Sequence, residues 1–326
     1  MFTIIKKLMR KKLIIIAVSL TIATPLSTLA KEPKNYIYTS AGDFESVSAI
    51  LARSDIHGVQ IVYNWRMLEP EKDKYDFSKI EKDLAHTKQA NKKLFIQIQD
   101  RFFEPNARYV PDYLLNEPVY NGGLSPQFDN SGEGDIVGSG WVARQWDPVV
   151  RHRYQALLAA LAKRFDGQVY GINLPTAIDL DEKAPPKGFT CDNYFASEIA
   201  NLAFARKVFT KSHVVQYVNF WPCEWNNDKN YMSRLFKFAS VNNIGLGGPD
   251  IVPNRKAQMK NSYPFFNKYK NKLTLVAMAV QEPTLTYINK KTGKPFSKAE
   301  FVQFAENYLG ADIIFGSKKS PWLAKK

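Results

Sequence analysis

Two kinds of hydrophobic patterning alternate along this chain: short apolar runs, and longer stretches in which apolar residues recur at helical spacing. The runs fall at 35–39, 58–64, 93–99, 168–174, 213–220, 244–247, 272–280 and 311–316. Unbroken apolar runs read as strands buried on both faces, and their alternation with amphipathic stretches predicts a parallel sheet with crossover helices. The stretch after Pro148 shows the helical period well. It repeats Val150, Tyr154, Leu157, Leu158, Leu161 and Phe165 on one face. Helix ends are also marked. Ser78 with Glu81 and Ser297 with Glu300 have capping-box spacing, Asp147-Pro148 reads as an N-cap before a first-turn proline, and Gly310 follows Leu309 where a helix should stop.

The stretch 104–146 breaks this rhythm. It is rich in Gly, Pro, Asn and Ser, has no strand signal, and contains Trp141 and Trp146. A loop of that length after the third strand is expected to be functional, on the face where the strands end. The start of the chain is also distinct: Lys6, Lys7, Arg10, Lys11 and Lys12 precede an apolar run from Leu13 to about Leu26, and Ser27-Thr28-Leu29-Ala30 follows. That is the pattern of a secretory signal peptide, 1–30, leaving 31–326 as one domain in a secreted or periplasmic protein. A retained anchor is the alternative. The apolar run is short for a span of roughly 20 residues and contains Pro25.

Removing the five leader charges lowers the formal net charge from +14 to +9. Much of the surplus lies at Arg255, Lys256, Lys260, Lys268, Lys270 and Lys272, spread along the sequence as on solvated faces. No nucleic-acid partner is expected. The four histidines are scattered without metal-ligand spacing, so neither a metal nor a cofactor is expected. Glycine-rich phosphate loops, serine elbows and dinucleotide fingerprints are missing from the sequence.

After the second run, Gly58-Val59-Gln60-Ile61-Val62-Tyr63-Asn64, come Trp65-Arg66-Met67-Leu68-Glu69-Pro70 and Tyr75-Asp76-Phe77-Ser78. This pattern resembles the second β/α unit of the retaining glycoside hydrolases of clan A, the β-galactosidase and cellulase superfamily. The resemblance implies a (β/α)8 TIM barrel over about Tyr36 to Trp322, with the 65–78 loop walling a carbohydrate cleft. In that clan the seventh strand carries the nucleophile, and here it ends in Gln281-Glu282-Pro283. Glu282 is the implied nucleophile. The fourth strand should end in an acid/base glutamate, yet Asn173-Leu174-Pro175 runs into Thr176-Ala177-Ile178-Asp179. The acid is then either lost or supplied by Asp179, Asp181 or Glu182, with Asp179 the first candidate.

Sugar recognition needs aromatic platforms and planar amides or guanidinium groups at strand ends. Trp65, Arg66, Gln99, Asn173, Asn219, Trp221, Gln281 and Trp322 are the candidates for substrate binding, each of which could instead pack. Asp250, in the turn after the sixth strand, either touches substrate or caps a helix. Cys191 and Cys223 follow strands four and five, adjacent units of a barrel, and are expected to form a disulfide; two buried free thiols are the competing state. Two functions remain open. One is an exported, monomeric retaining glycosidase acting on an oligo- or polysaccharide, and the other is a carbohydrate-binding barrel that no longer turns over.

Overall fold

The computed structural model describes residues 32–128, 139–175, 178–181, 183–321 and 323. The leader read at 1–30 and Trp322 lie outside the described residues. Eight parallel strands close into a barrel: β1 (Lys34–Ser40), β2 (Ile56–Asn64), β3 (Lys93–Gln99), β4 (Gly171–Leu174), β5 (His213–Tyr217), β6 (Gly245–Gly248), β7 (Val276–Val280) and β8 (Ile313–Ser317). Each pairs with its sequence neighbours in order, and β8 returns to β1 with Phe315 beside Tyr36. The (β/α)8 expectation is met, and all eight apolar runs hold a strand.

Helices cover the outside because their apolar stripes have no other surface to meet. Helix Pro148–Phe165 buries all six residues of the predicted stripe. Asp147 caps it by accepting from Val149 N at 3.0 Å, with Pro148 in the first turn. The capping box at Ser297 and Glu300 forms in full, and Gly310 ends its helical segment in the left-handed region at φ +67°. The box read at Ser78 does not form. Ser78 is already helical, and the carboxylate of Asp76 accepts from its N–H at 2.9 Å.

Inside the barrel, alternate side chains point to the axis. Tyr36, Phe95 and Phe315 meet edge to face with centroids 5.1–6.3 Å apart and plug the interior. Glycines face them. A Cβ at Gly58 would lie 2.3 Å from the Tyr36 ring, and one at Gly171 2.3 Å from the Phe95 ring.

The 104–146 stretch differs from its expected irregular form. Arg101–Phe102, Ser139–Ala143 and Leu124–Phe128 pair as a small antiparallel sheet, with Ser139–Ala143 in the middle. Those segments hold Gly140, Pro126 and several serines, residues that carry little strand preference of their own. The pairing comes from tertiary contacts. Gln127 Nε2 bridges Phe102 O and Trp141 O at 3.1 and 3.0 Å.

Cys191 and Cys223 are bonded, with Cα atoms 6.0 Å apart across 32 residues. Cys191 opens the helix Cys191–Val208 after β4, and Cys223 sits in the loop after β5. Closing a loop of that length should restrict the unfolded chain by ~3–4 kcal/mol in the chain-entropy model. The double variant Cys191→Ser/Cys223→Ser is therefore expected to melt about 6 °C lower for a chain of this size. An unchanged melting temperature in calorimetry would remove the bridge from the stability of the fold.

Candidate functional site

The C-terminal mouth of the barrel is built from the last inward-facing positions of each strand. Above the aromatic plug, the lining turns polar. Gln60 of β2 and Tyr217 of β5 meet across the interior, the amide nitrogen donating to the phenol at 2.8 Å. Burial holds the Tyr217 hydroxyl far above its usual titration range, with Tyr38 and Asp250 adding charge repulsion. The hydroxyl thus stays protonated as a donor at any working pH.

Gln97 of β3 and Asn173 of β4 are direct register partners and share the inward parity of Phe95. Asn173 is completely buried, yet among the described residues neither its Nδ2 nor its Oδ1 has a hydrogen-bond partner, and the buried Oε1 of the half-buried Gln97 lacks one too. Leaving a buried amide unpaired costs about 1–3 kcal/mol per group. At the mouth of a barrel such atoms are open to an ordered water or to the hydroxyls of a polar ligand.

Two loops at the strand ends carry carboxylates. Asp250 follows β6, and its carboxylate accepts from the Thr284 hydroxyl. Thr284 belongs to the 3-10 helix Glu282–Thr286, which begins one residue past the inward-facing Gln281 at the end of β7. The backbone of Glu282 is thus set at the strand end, on the mouth side; its side chain lies outside the described residues. Asp179 is half-buried in the loop after β4, and its carbonyl accepts from Phe128 N at 3.0 Å, which joins that loop to the small antiparallel sheet. Thr176, Ala177 and Glu182 lie outside the described residues. Asp181 is used locally, its carboxylate accepting from Lys183 N and Ala184 N.

Several sequence candidates take other roles. Trp65 was expected on the cleft wall but is 0% exposed; its indole N–H donates to Glu69 at 2.9 Å and its ring packs edge-on against Tyr154. It is core. Glu69, also fully buried, accepts in addition from Arg153 and from Asp73 N, so the Leu-Glu-Pro run locks a loop rather than touching a ligand. Trp221 is 4% exposed between Tyr194 and Phe195, again packing rather than platform. Arg66 does reach the rim, held by Val110 O at 2.9 Å and by Asp112, beside a cleft of about 430 Å³ shared with Asn64 and Tyr109. Gln99, Asn219 and Gln281 remain half-buried at the ends of β3, β5 and β7.

Gln60 and Tyr217 escaped the sequence reading. The signal was present in Gln60, a polar residue inside an otherwise apolar run; its partner in β5 became visible only once the barrel closed.

One buried carboxyl is strongly perturbed. Arg101, just after β3, is wedged between Asp100 at 2.9 Å and Glu198 at 3.5 Å, and all three are buried. A single guanidinium neutralises one carboxylate, so burial pushes Glu198 up to about 7. That value would suit a general acid, but the side chain is sealed in the wall, 5% exposed as a residue. Its effect falls on stability. Because its folded pKa is raised above the ordinary 4.5, the contribution is complete below about pH 4.5 and is lost as pH rises through 7. Between pH 5 and 8 the parent is expected to lose about 2–3 kcal/mol that Glu198→Gln retains. Parallel urea midpoints for the two proteins at both pH values would refute this.

Among the described residues no group of His, Cys, Asp and Glu is placed to hold a metal ion, and no helix is long and apolar enough to cross a membrane. Neither a protein-family model nor a curated protein matches this sequence. Solved structures do match its shape. The catalytic domain of β-amylase from Paenibacillus polymyxa aligns with a TM-score of 0.55 at 9% identity, over 88% of this chain and 93% of its own. Xylanase 10B from Thermotoga petrophila, solved with xylobiose, aligns at 0.53 and 8% identity, over 87% and 81%. A xylanase from Cellvibrio japonicus aligns at 0.51 and 12%, over 88% and 87%. At such identities shape alone is shared, and the chain has the (β/α)8 barrel fold found in these glycoside hydrolases.

Proposed function

We propose that the protein is an exported glycoside hydrolase that cleaves an oligo- or polysaccharide by a retaining mechanism, with Glu282 as nucleophile and Asp179 as acid/base. The carrying observation is the pair of inward-facing amides, Gln97 and Asn173, whose Oε1, Nδ2 and Oδ1 atoms are buried without a hydrogen-bond partner among the described residues. Planar amides that can both donate and accept fit the hydroxyls of a sugar ring. Retention requires the two carboxyl groups to stand about 5–5.5 Å apart across the bond. Asp250, through Thr284, holds the segment that carries Glu282 and serves as a positioning residue. The basic leader and the Cys191–Cys223 disulfide support a secreted or periplasmic location, and the chain is taken to act as a monomer.

The second reading, a binding barrel without turnover, is favoured by one feature: β4 ends in Asn173-Leu174-Pro175 and runs into Thr176-Ala177, with no glutamate at the strand end. A weak or displaced acid is expected to show in leaving-group dependence, so aryl glycosides with acidic leaving groups should be cleaved about 10²-fold faster than natural linkages. Similar rates on both would establish a competent acid. Saccharide binding without cleavage of any aryl glycoside would leave the binding barrel.

A further inference from the structure

Beside the mouth lies a cavity of about 690 Å³, built from the loops after β5, β6 and β7. We propose that it is a binding site for an acidic glycan, a polymer whose sugars carry carboxylates, and that it extends the saccharide site of the barrel mouth, on whose reading it rests. Two observations carry it.

The first is charge. The described lining includes Arg255, Lys256, Lys290 and Lys291 and contains no carboxylate. None of the three lysines is ion-paired with a described acid. Three such lysines around one concavity raise a positive potential that an anionic ligand relieves.

The second is the aromatic surface between those charges. Trp225 is 40% exposed and Tyr287 37%. Each has a cation at its face: Lys260 Nζ is 5.3 Å from the Trp225 ring centre, and the Arg255 guanidinium 4.8 Å from that of Tyr287. Those cations cover one face of each ring, and the surface left exposed can stack on the apolar side of a pyranose while the lining lysines meet the carboxylate at the sugar's edge. A uronate sugar presents both features in one residue. Position favours a glycan over other polyanions. Val252 of the lining is two residues past Asp250, and Tyr287 directly follows the helix Glu282–Thr286, so groove and mouth share the loops after β6 and β7, and a glycan long enough to reach both would also meet the mouth's amides. Phosphate backbones and anionic lipid surfaces would match the charge and leave those amides unused.

The test uses the disulfide-intact chain 31–326 in affinity electrophoresis at low and moderate salt, with polygalacturonate, neutral xylan and single-stranded DNA as probes. Polygalacturonate is expected to be held about tenfold more tightly than xylan. Lys290→Glu/Lys291→Glu should weaken that binding about tenfold, and Trp225→Ala about fivefold. Equal retention of xylan, DNA held as tightly as polygalacturonate, or indifference to both variants would overturn the assignment. Failures of the two readings separate cleanly. Hydrolysis of a neutral glycan without affinity for polygalacturonate removes the acidic site and keeps the hydrolase. Trp225-dependent polygalacturonate binding without turnover of any glycoside does the reverse.

Discussion

Glu282→Gln is expected to abolish glycoside cleavage, by about four orders of magnitude or more, as when a nucleophile is removed from other covalent catalysts. Folding should be unaffected. The residue opens a 3-10 helix at the strand end, outside the barrel core, and the amide keeps the size of the carboxyl. Near-native far-UV signal and melting temperature, together with lost turnover of an activated aryl glycoside, would meet the expectation. Turnover by the variant at the parent's rate would take the nucleophile role from Glu282 and shift attention to Asp250 on the neighbouring loop.

Glu69→Ala is expected to have the largest effect on stability. The buried carboxylate holds the Trp65 indole, the Asp73 N–H and the Arg153 guanidinium together, and removing it strands a buried positive charge. Breaking such an arrangement costs about 3–5 kcal/mol. Asp73 also touches Arg153, at 2.8 Å, but its side chain is mostly exposed, so Asp73→Ala should cost at most about 1 kcal/mol. Equal urea midpoints for the two variants would show that Glu69 is not what fixes this loop.

The same residues show what the sequence could and could not convey. The eight strands were legible because parallel strands are covered on both faces and so read as mostly apolar runs, interrupted only by residues such as Gln60 and Asn173 that face the barrel interior. Helix stripes and the disulfide followed from the same order, since adjacent β/α units place Cys191 and Cys223 on one rim. Side-chain direction was not legible at strand ends. Trp65 and Trp221 sit one step past inward-facing Asn64 or near inward-facing Asn219, and a single residue of phase decides between cleft and core. The small sheet at 101–143 was hidden for another reason: its strands are specified by partners rather than by their own residues. Gln97 and Asn173 were readable as polar residues at strand ends, but that both hold buried polar atoms without a partner among the described residues is a property of the closed barrel alone.

The aromatic plug has a consequence for how this family of sequences can drift. Tyr36 fills the space that Gly58 leaves, and Phe95 the space left by Gly171. Backbone closes the same space: an added Cβ would lie 2.2 Å from the Lys93 carbonyl oxygen at Gly58 and 2.9 Å from that of His213 at Gly171, so loss of a ring alone does not make room. The rings should therefore vary before the glycines do, since a smaller side chain at 36 or 95 leaves only a cavity whereas a methyl at 58 or 171 must move a neighbouring strand.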